Sequence, residues 1–129
     1  FLNLSSNDNA YHHMTDKAII GNVRYMYERI RKYSPETVIV FMNGNPLAGR
    51  TEFFEQIKRV NNKVKTLCDE WVICEFIDVY DTVLGLVSQY PKNWDTWTHF
   101  NANAYSNIVG PQIKAQTLAV MNKYGIKFN

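Results

Sequence analysis

No stretch of this chain approaches the roughly 20 consecutive apolar residues that a membrane-spanning helix needs. Neither charge dominates: 14 Lys and Arg are scattered among 12 Asp and Glu, for a formal net charge of +2. That mixture leaves no basic patch or stripe for nucleic acid or an anionic membrane surface. There is no internal repeat, low-complexity tract or linker. No glycine-rich loop follows a strand-like segment, which ranks a module for phosphorylated ligands low. Cysteine is scarce, with Cys68 and Cys74 alone. Two cysteines without a matched pair make no zinc framework, and they say little about compartment. They read as buried thiols, one at a helix end and one in a strand; a disulfide or metal site is the less common alternative.

What remains is an ordinary globular composition, 46% hydrophobic and 20% charged. Its 129 residues fit one domain with one core. Phe1 to Leu4 reads as a strand end, followed by a polar loop through His13 and Met14. From Thr15 to Glu36, Ile19, Ile20, Val23, Met26 and Ile30 fall at helical spacing. Thr15 or Asp16 can cap that helix, Arg29, Arg31 and Lys32 suit its last turns, and Pro35 marks its stop. TVIVFMN, Thr37 to Asn43, is apolar enough for a strand buried on both faces. A turn-rich loop, GNPLAG, leads into a second helix striped by Phe53, Phe54, Ile57, Val60, Val64 and Leu67. Trp71 to Tyr80 reads as another strand, and DTVLGLVSQ as a short helix. A final helix begins near Asn101 and closes at Gly125, with Pro111 predicting a kink or a late start.

Strands alternating with amphipathic helices predict an α/β fold, a parallel sheet covered on both faces with right-handed crossovers. Ligands in such sheets bind beyond the carboxyl ends of the strands. Three loops leave those ends: SSNDNAYHH, NGNPLAGR with Asn45, and the stretch reaching DTWTHFN. Three strands make a thin sheet, and Phe1 to Leu4 has the character of a central strand. Further strands are therefore expected upstream of residue 1.

Several residues in these loops carry chemistry. His99, just before the final helix, can act as a general base near neutral pH, although a solvated or structural His is commoner in such a place. Asn7 can donate to a developing oxyanion, or simply close an Asx-turn. Asp8 has the same bland alternative, bonding loop amides. His12 and His13 are adjacent and diverge in most backbones; a metal site would need one of them to meet His99 and a carboxylate, which the spacing does not demand. Trp94 and Trp97 are core plugs or an apolar wall for a substrate such as a sugar ring.

In order and spacing these pieces resemble the SGNH hydrolases, also called the GDSL esterase/lipase family. The family's Gly-x-Asn-Asp block, at a strand end, is matched by Ser5-Ser6-Asn7-Asp8, with Ser for Gly. Its Asp-x-x-His-x-Asn block, ahead of the last helix, is matched by Thr96-Trp97-Thr98-His99-Phe100-Asn101. NVRYMYERIRKYSPETVIVFMNGNP and EFIDVYDTV resemble the family's intervening elements, so the likeness covers almost the whole chain.

The resemblance implies a flavodoxin-like three-layer α/β/α domain, incomplete at the amino end, of which residues 1–129 are the carboxyl-terminal part. It implies that His99 activates a serine and that Asn7 is an oxyanion-hole donor. The nucleophile block and the glycine block would lie upstream of Phe1. Thr96 replaces the family's Asp, so Asp95 must orient His99 through a loop bulge, or a Ser–His dyad or a backbone carbonyl must suffice. Ser5 puts in question the backbone geometry that Gly permits. The implied activity is hydrolysis of a carboxylic ester, with an acetylated carbohydrate the first substrate guess. Asp8, Asn45, Trp94 and Trp97 are candidate substrate contacts, and no cofactor or metal is implied. The alternative is a catalytically inactive module of the same fold that binds a glycan or protein partner.

Overall fold

The computed structural model describes residues 1–3 and 12–127. The candidates Asn7 and Asp8, with Ser5 and Ser6, lie outside the described residues.

Thr15 caps the first long helix, α1 (Asp16–Tyr33), its hydroxyl accepting from the Ala18 N–H at 3.2 Å. Asp16 in the first turn and Arg31 and Lys32 in the last suit the helix dipole. The helix ends as the Ser34 N–H closes back on the Ile30 carbonyl, just before Pro35. The second helix, α2 (Phe54–Glu70), is entered through a 3-10 turn at Thr51–Phe53.

The strands are shorter than their apolar runs. β1 (Leu2–Asn3), β2 (Ile39–Met42) and β3 (Cys74–Ile77) form a parallel sheet in the order β1-β2-β3. Leu2 lies opposite Phe41, and Ile39 opposite Cys74. β3 was expected from Trp71, but Trp71 is the C-cap of α2 and Ile73 has φ 53°. The left-handed region lies outside strand geometry, so the paired register begins at Cys74. The three residues 71–73 are used to reverse the chain instead. At the other end Tyr80 opens α3 (Tyr80–Val87).

Ile39, Phe41 and Cys74 share one face of the sheet and pack against Ile19 and Val23 of α1 and Val60, Val64 and Cys68 of α2. Glu75 alternates to the other face, where its carboxylate accepts from Lys123 and from the Tyr124 hydroxyl. Burial alone would raise the Glu75 carboxyl; those two donors outweigh it and hold the group below its ordinary value. A second cluster joins Val83 and Leu86 of α3 to Trp94, Phe100, Ala104 and Val109.

The final helix resolves the Pro111 problem with a wide turn. A single helical turn, α4 (Ala102–Ala104), runs into a π-helical segment (Tyr105–Val109) and then α5 (Gly110–Lys123), with Pro111 in the first turn of α5. Pro111 has no N–H to offer the preceding turn, and a π segment is a common way to absorb such a break. The Gly110 N–H reaches the Tyr105 carbonyl, and a Cβ on Gly110 would stand 2.2 Å from that oxygen. Gly125, at φ 64°, follows the helix as expected. Among the described residues no helix is long and apolar enough to cross a membrane.

Candidate active site

Backbone groups at the carboxyl end of a strand lose their ladder partners and must be paired some other way. Here side-chain amides do it. Asn61 projects from the buried face of α2; its Oδ1 accepts from the Gly44 N–H at 2.8 Å and its Nδ2 donates to the Gly44 carbonyl at 2.9 Å. Asn43, 0% exposed, accepts the Val79 N–H at 2.7 Å and donates to Asn45 Oδ1 at 2.8 Å. Gln116 of α5 brackets Asp78 in the same way, accepting its N–H at 3.0 Å and donating to its carbonyl at 2.8 Å. The loop after β2 and the exit from β3 are thus pinned by buried or half-buried amides.

The loop carrying His99 is pinned at its base. Trp94 and Phe100 form an antiparallel bridge, with ring centroids 4.5 Å apart. Trp94 is 7% exposed, and its indole N–H donates to the Leu86 carbonyl at 3.0 Å. Trp94 is therefore a core residue of the second cluster, the first of the two roles weighed for it. Asn101 closes the base on the other side, its Oδ1 accepting the Ala104 N–H at 3.0 Å as the cap of α4.

Between these anchors the chain turns tightly. The Asp95 and Thr96 N–H groups both donate to the His99 carbonyl, at 2.9 and 3.3 Å. The Thr96 hydroxyl oxygen accepts from the backbone N–H of Thr98 at 3.3 Å and of His99 at 3.1 Å. Thr96, at the position of the family-pattern Asp, braces the backbone that presents His99. His99 and Asp95 are both exposed. Asp95 meets His99 through its backbone N–H; among the described residues no side-chain hydrogen bond or ion pair joins its carboxylate to the imidazole.

The loops then meet. The Ala48 N–H donates to the Trp97 carbonyl at 3.1 Å. Gly49 lies flush against the Trp97 ring, where a Cβ would come within 2.9 Å. The Arg50 guanidinium stands 5.9 Å over Trp97 and 5.8 Å over Phe53, and pairs with Glu52 at 3.3 Å. His13, two residues before the Thr15 cap of α1, is 5.5 Å from the Phe53 ring. The half-exposed Trp97, the Asn45 loop and the His99 loop are thereby gathered at one end of the sheet. Among the described residues no group of three or more His, Cys, Asp or Glu side chains gathers as metal ligands would.

Sequence reasoning missed the structural amides. One signal was available: Asn61 falls on the apolar stripe, four residues after Ile57 and three before Val64. A buried polar residue on such a face requires a partner.

The profile of the GDSL-like Lipase/Acylhydrolase family matches residues 1–106, which include all three strands and the His99 loop. No curated protein and no solved structure matches the chain.

Proposed function

The chain belongs to the GDSL-like lipase/acylhydrolase family, and from that premise we propose that it is the carboxyl-terminal part of one flavodoxin-like, three-layer domain that hydrolyses carboxylic esters through a serine and His99. The nucleophilic serine comes from a segment preceding Phe1. One observation favours such a segment: among the described residues β1 pairs on one side only, leaving an edge that a further strand can cover.

In this reading the serine hydroxyl attacks the ester carbonyl while the His99 imidazole takes its proton. The tetrahedral oxyanion accepts a hydrogen bond from Asn7; losing one such donor costs about 100- to 1,000-fold in rate. His99 then returns the proton to the departing alcohol, and water releases the acid by the same route in reverse. Thr96 holds the His99 backbone, so the imidazole works as half of a Ser–His dyad unless Asp95 swings in to complete a triad. The substrate is an acetylated carbohydrate, with Trp97 as the wall for a sugar ring and Asn45 and Asp8 as polar contacts. Trp97 is suited to this because it is half-exposed and backed by Gly49 and Arg50, whereas Trp94 is committed to the core.

The observation that carries the reading is His99, exposed on a loop anchored at both ends and beside the loop that leaves β2. Cleavage of an aryl acetate by the polypeptide with its upstream segment, and its loss in His99→Ala, is the test. A non-catalytic glycan- or protein-binding module is the second reading. It is favoured by Thr96 in the Asp position and by the absence, among the described residues, of an Asp95–His99 side-chain bond. Such a module binds its partner with no turnover.

A further inference from the structure

The two thiols sit at the end of β3 away from the site. Cys68, in the last turn of α2, and Cys74, the first residue of β3, are both buried. Their sulfurs are 2.9 Å apart, in hydrogen-bond contact. Around them is the apolar cluster of Val64, Ile39 and Phe41. A thiol is a weak donor and a weak acceptor, so this bond alone is a modest reason for the arrangement.

The intervening chain is what holds the sulfurs together. Trp71 stacks on Tyr27 with ring centroids 4.1 Å apart, and the Tyr27 hydroxyl donates to the Val72 carbonyl at 3.2 Å. The Ile73 carbonyl accepts from Arg31 at 2.7 Å and from the Ile39 N–H at 3.0 Å. These contacts keep Ile73 at φ 53°, a conformation a β-branched residue does not choose for itself. The loop is over-determined, and its geometry delivers one sulfur to the other. Proximity of that kind is the main entropic requirement for joining two thiols.

We propose that Cys68 and Cys74 form a reversible dithiol–disulfide pair, oxidised by a low-molecular-weight disulfide of the glutathione type. One cysteine thiolate attacks a glutathione sulfur and expels a glutathione thiolate, giving a mixed disulfide. The second cysteine thiolate attacks the protein-bound sulfur and expels the second glutathione. One S–S bond forms in the protein and one breaks in the oxidant. Two electrons pass to glutathione, and the two thiol protons finish on its two released thiols. The Cys74 contact and burial both push the Cys68 thiol upward, so exchange in the closed fold is slow and speeds up when the 69–73 loop opens.

The test uses the full polypeptide equilibrated in glutathione buffers from reducing to oxidising, quenched with N-ethylmaleimide in denaturant and cleaved after glutamate. Cleavage at Glu70 separates the two cysteines. The expected result is a pair of peptides joined through Cys68 and Cys74, lighter by two hydrogens and inert to the maleimide, which a reductant returns to two labelled peptides. The oxidised form should unfold roughly 5–10 °C higher, since the tether restricts the unfolded chain while the sulfurs close by only about 1 Å in the folded one. Labelling of both thiols at every poise overturns the proposal, as does glutathione remaining on either cysteine. A lower unfolding midpoint on oxidation overturns the claim that the fold already holds the sulfurs in bonding position. Because the peptide map reads the unsubstituted protein, it does not depend on Cys68→Ser or Cys74→Ser folding; where those variants fold, each must abolish the joined pair.

Discussion

Replacing Asn61 with Leu keeps the branched heavy-atom shape, with bulkier methyl groups, and removes both amide contacts to Gly44. Asn61 is 6% exposed and Gly44 is buried, so water cannot easily take over. The Gly44 carbonyl retains a second donor, Asn43 Nδ2 at 3.2 Å. The Gly44 N–H has Asn61 Oδ1 as its partner at 2.8 Å and is left bare. An orphaned buried donor costs about 1–3 kcal/mol, and loss of the bond to the carbonyl adds about 0.5–1.5 kcal/mol. Burying an apolar side chain in place of an amide returns part of this, about 1 kcal/mol. The net expectation is a loss of about 1–3 kcal/mol, which at a urea m-value of about 1.5 kcal/mol/M moves the midpoint down by roughly 1–2 M. Asn61→Asp separates the two contacts. It keeps the acceptor for Gly44 N–H but donates to the carbonyl only when protonated. Burial raises its pKa in the folded state, so its stability relative to Asn61 is best at acid pH and is lost as pH rises through that raised value. Equilibrium urea unfolding of both variants measures this. A Leu variant within about 0.5 kcal/mol of the parent would refute the claim that Asn61 pins the Gly44 loop.

The two tryptophans should part company. Trp94→Ala loses about 3–5 kcal/mol of unfolding free energy, as a buried aromatic does, whereas Trp97→Ala raises KM for an acetylated sugar and lowers the denaturation midpoint by less, because its ring is only partly buried. Gly110→Ala pushes a Cβ against the Tyr105 carbonyl and should cost about 2 kcal/mol, read as a lower thermal midpoint. Glu75→Gln lowers the midpoint at neutral pH. The Glu75 carboxyl is held below its ordinary value in the folded protein, so its contribution is present above the ordinary carboxylate range and fades as pH falls through the folded value. The gap between parent and variant should therefore close in acid.

The long elements were legible because local signals agreed. Thr15, the Ile19–Val23 spacing and Pro35 all marked α1, and the β-branched run from Val38 marked β2. The strand limits were not legible, because apolarity does not distinguish a paired residue from one spent on a turn. Trp71, Val72 and Ile73 look like strand and serve as the reversal between α2 and β3. Proximity across that reversal was hidden too. Cys68 and Cys74 read as separate buried thiols, and their 2.9 Å contact follows from the left-handed Ile73. At the site, the position of His99 before the final helix was readable, but not the capping of that helix by Asn101. What Thr96 does was not: its hydroxyl bonds the backbone of the same turn, a role no spacing rule assigns. The separation of Trp94 from Trp97 needed the partner at Leu86, a contact set by α3 and by no neighbour in the loop.

The most direct test of the account is aryl acetate hydrolysis by the polypeptide carrying its upstream segment, compared with His99→Ala. His99 is exposed and bonds its loop through backbone atoms, so the variant should fold with an unchanged unfolding midpoint. The account predicts that kcat/KM falls by about 1,000-fold or more, the scale of losing a general base. A folded His99→Ala protein that hydrolyses the ester at the parent's rate would contradict it.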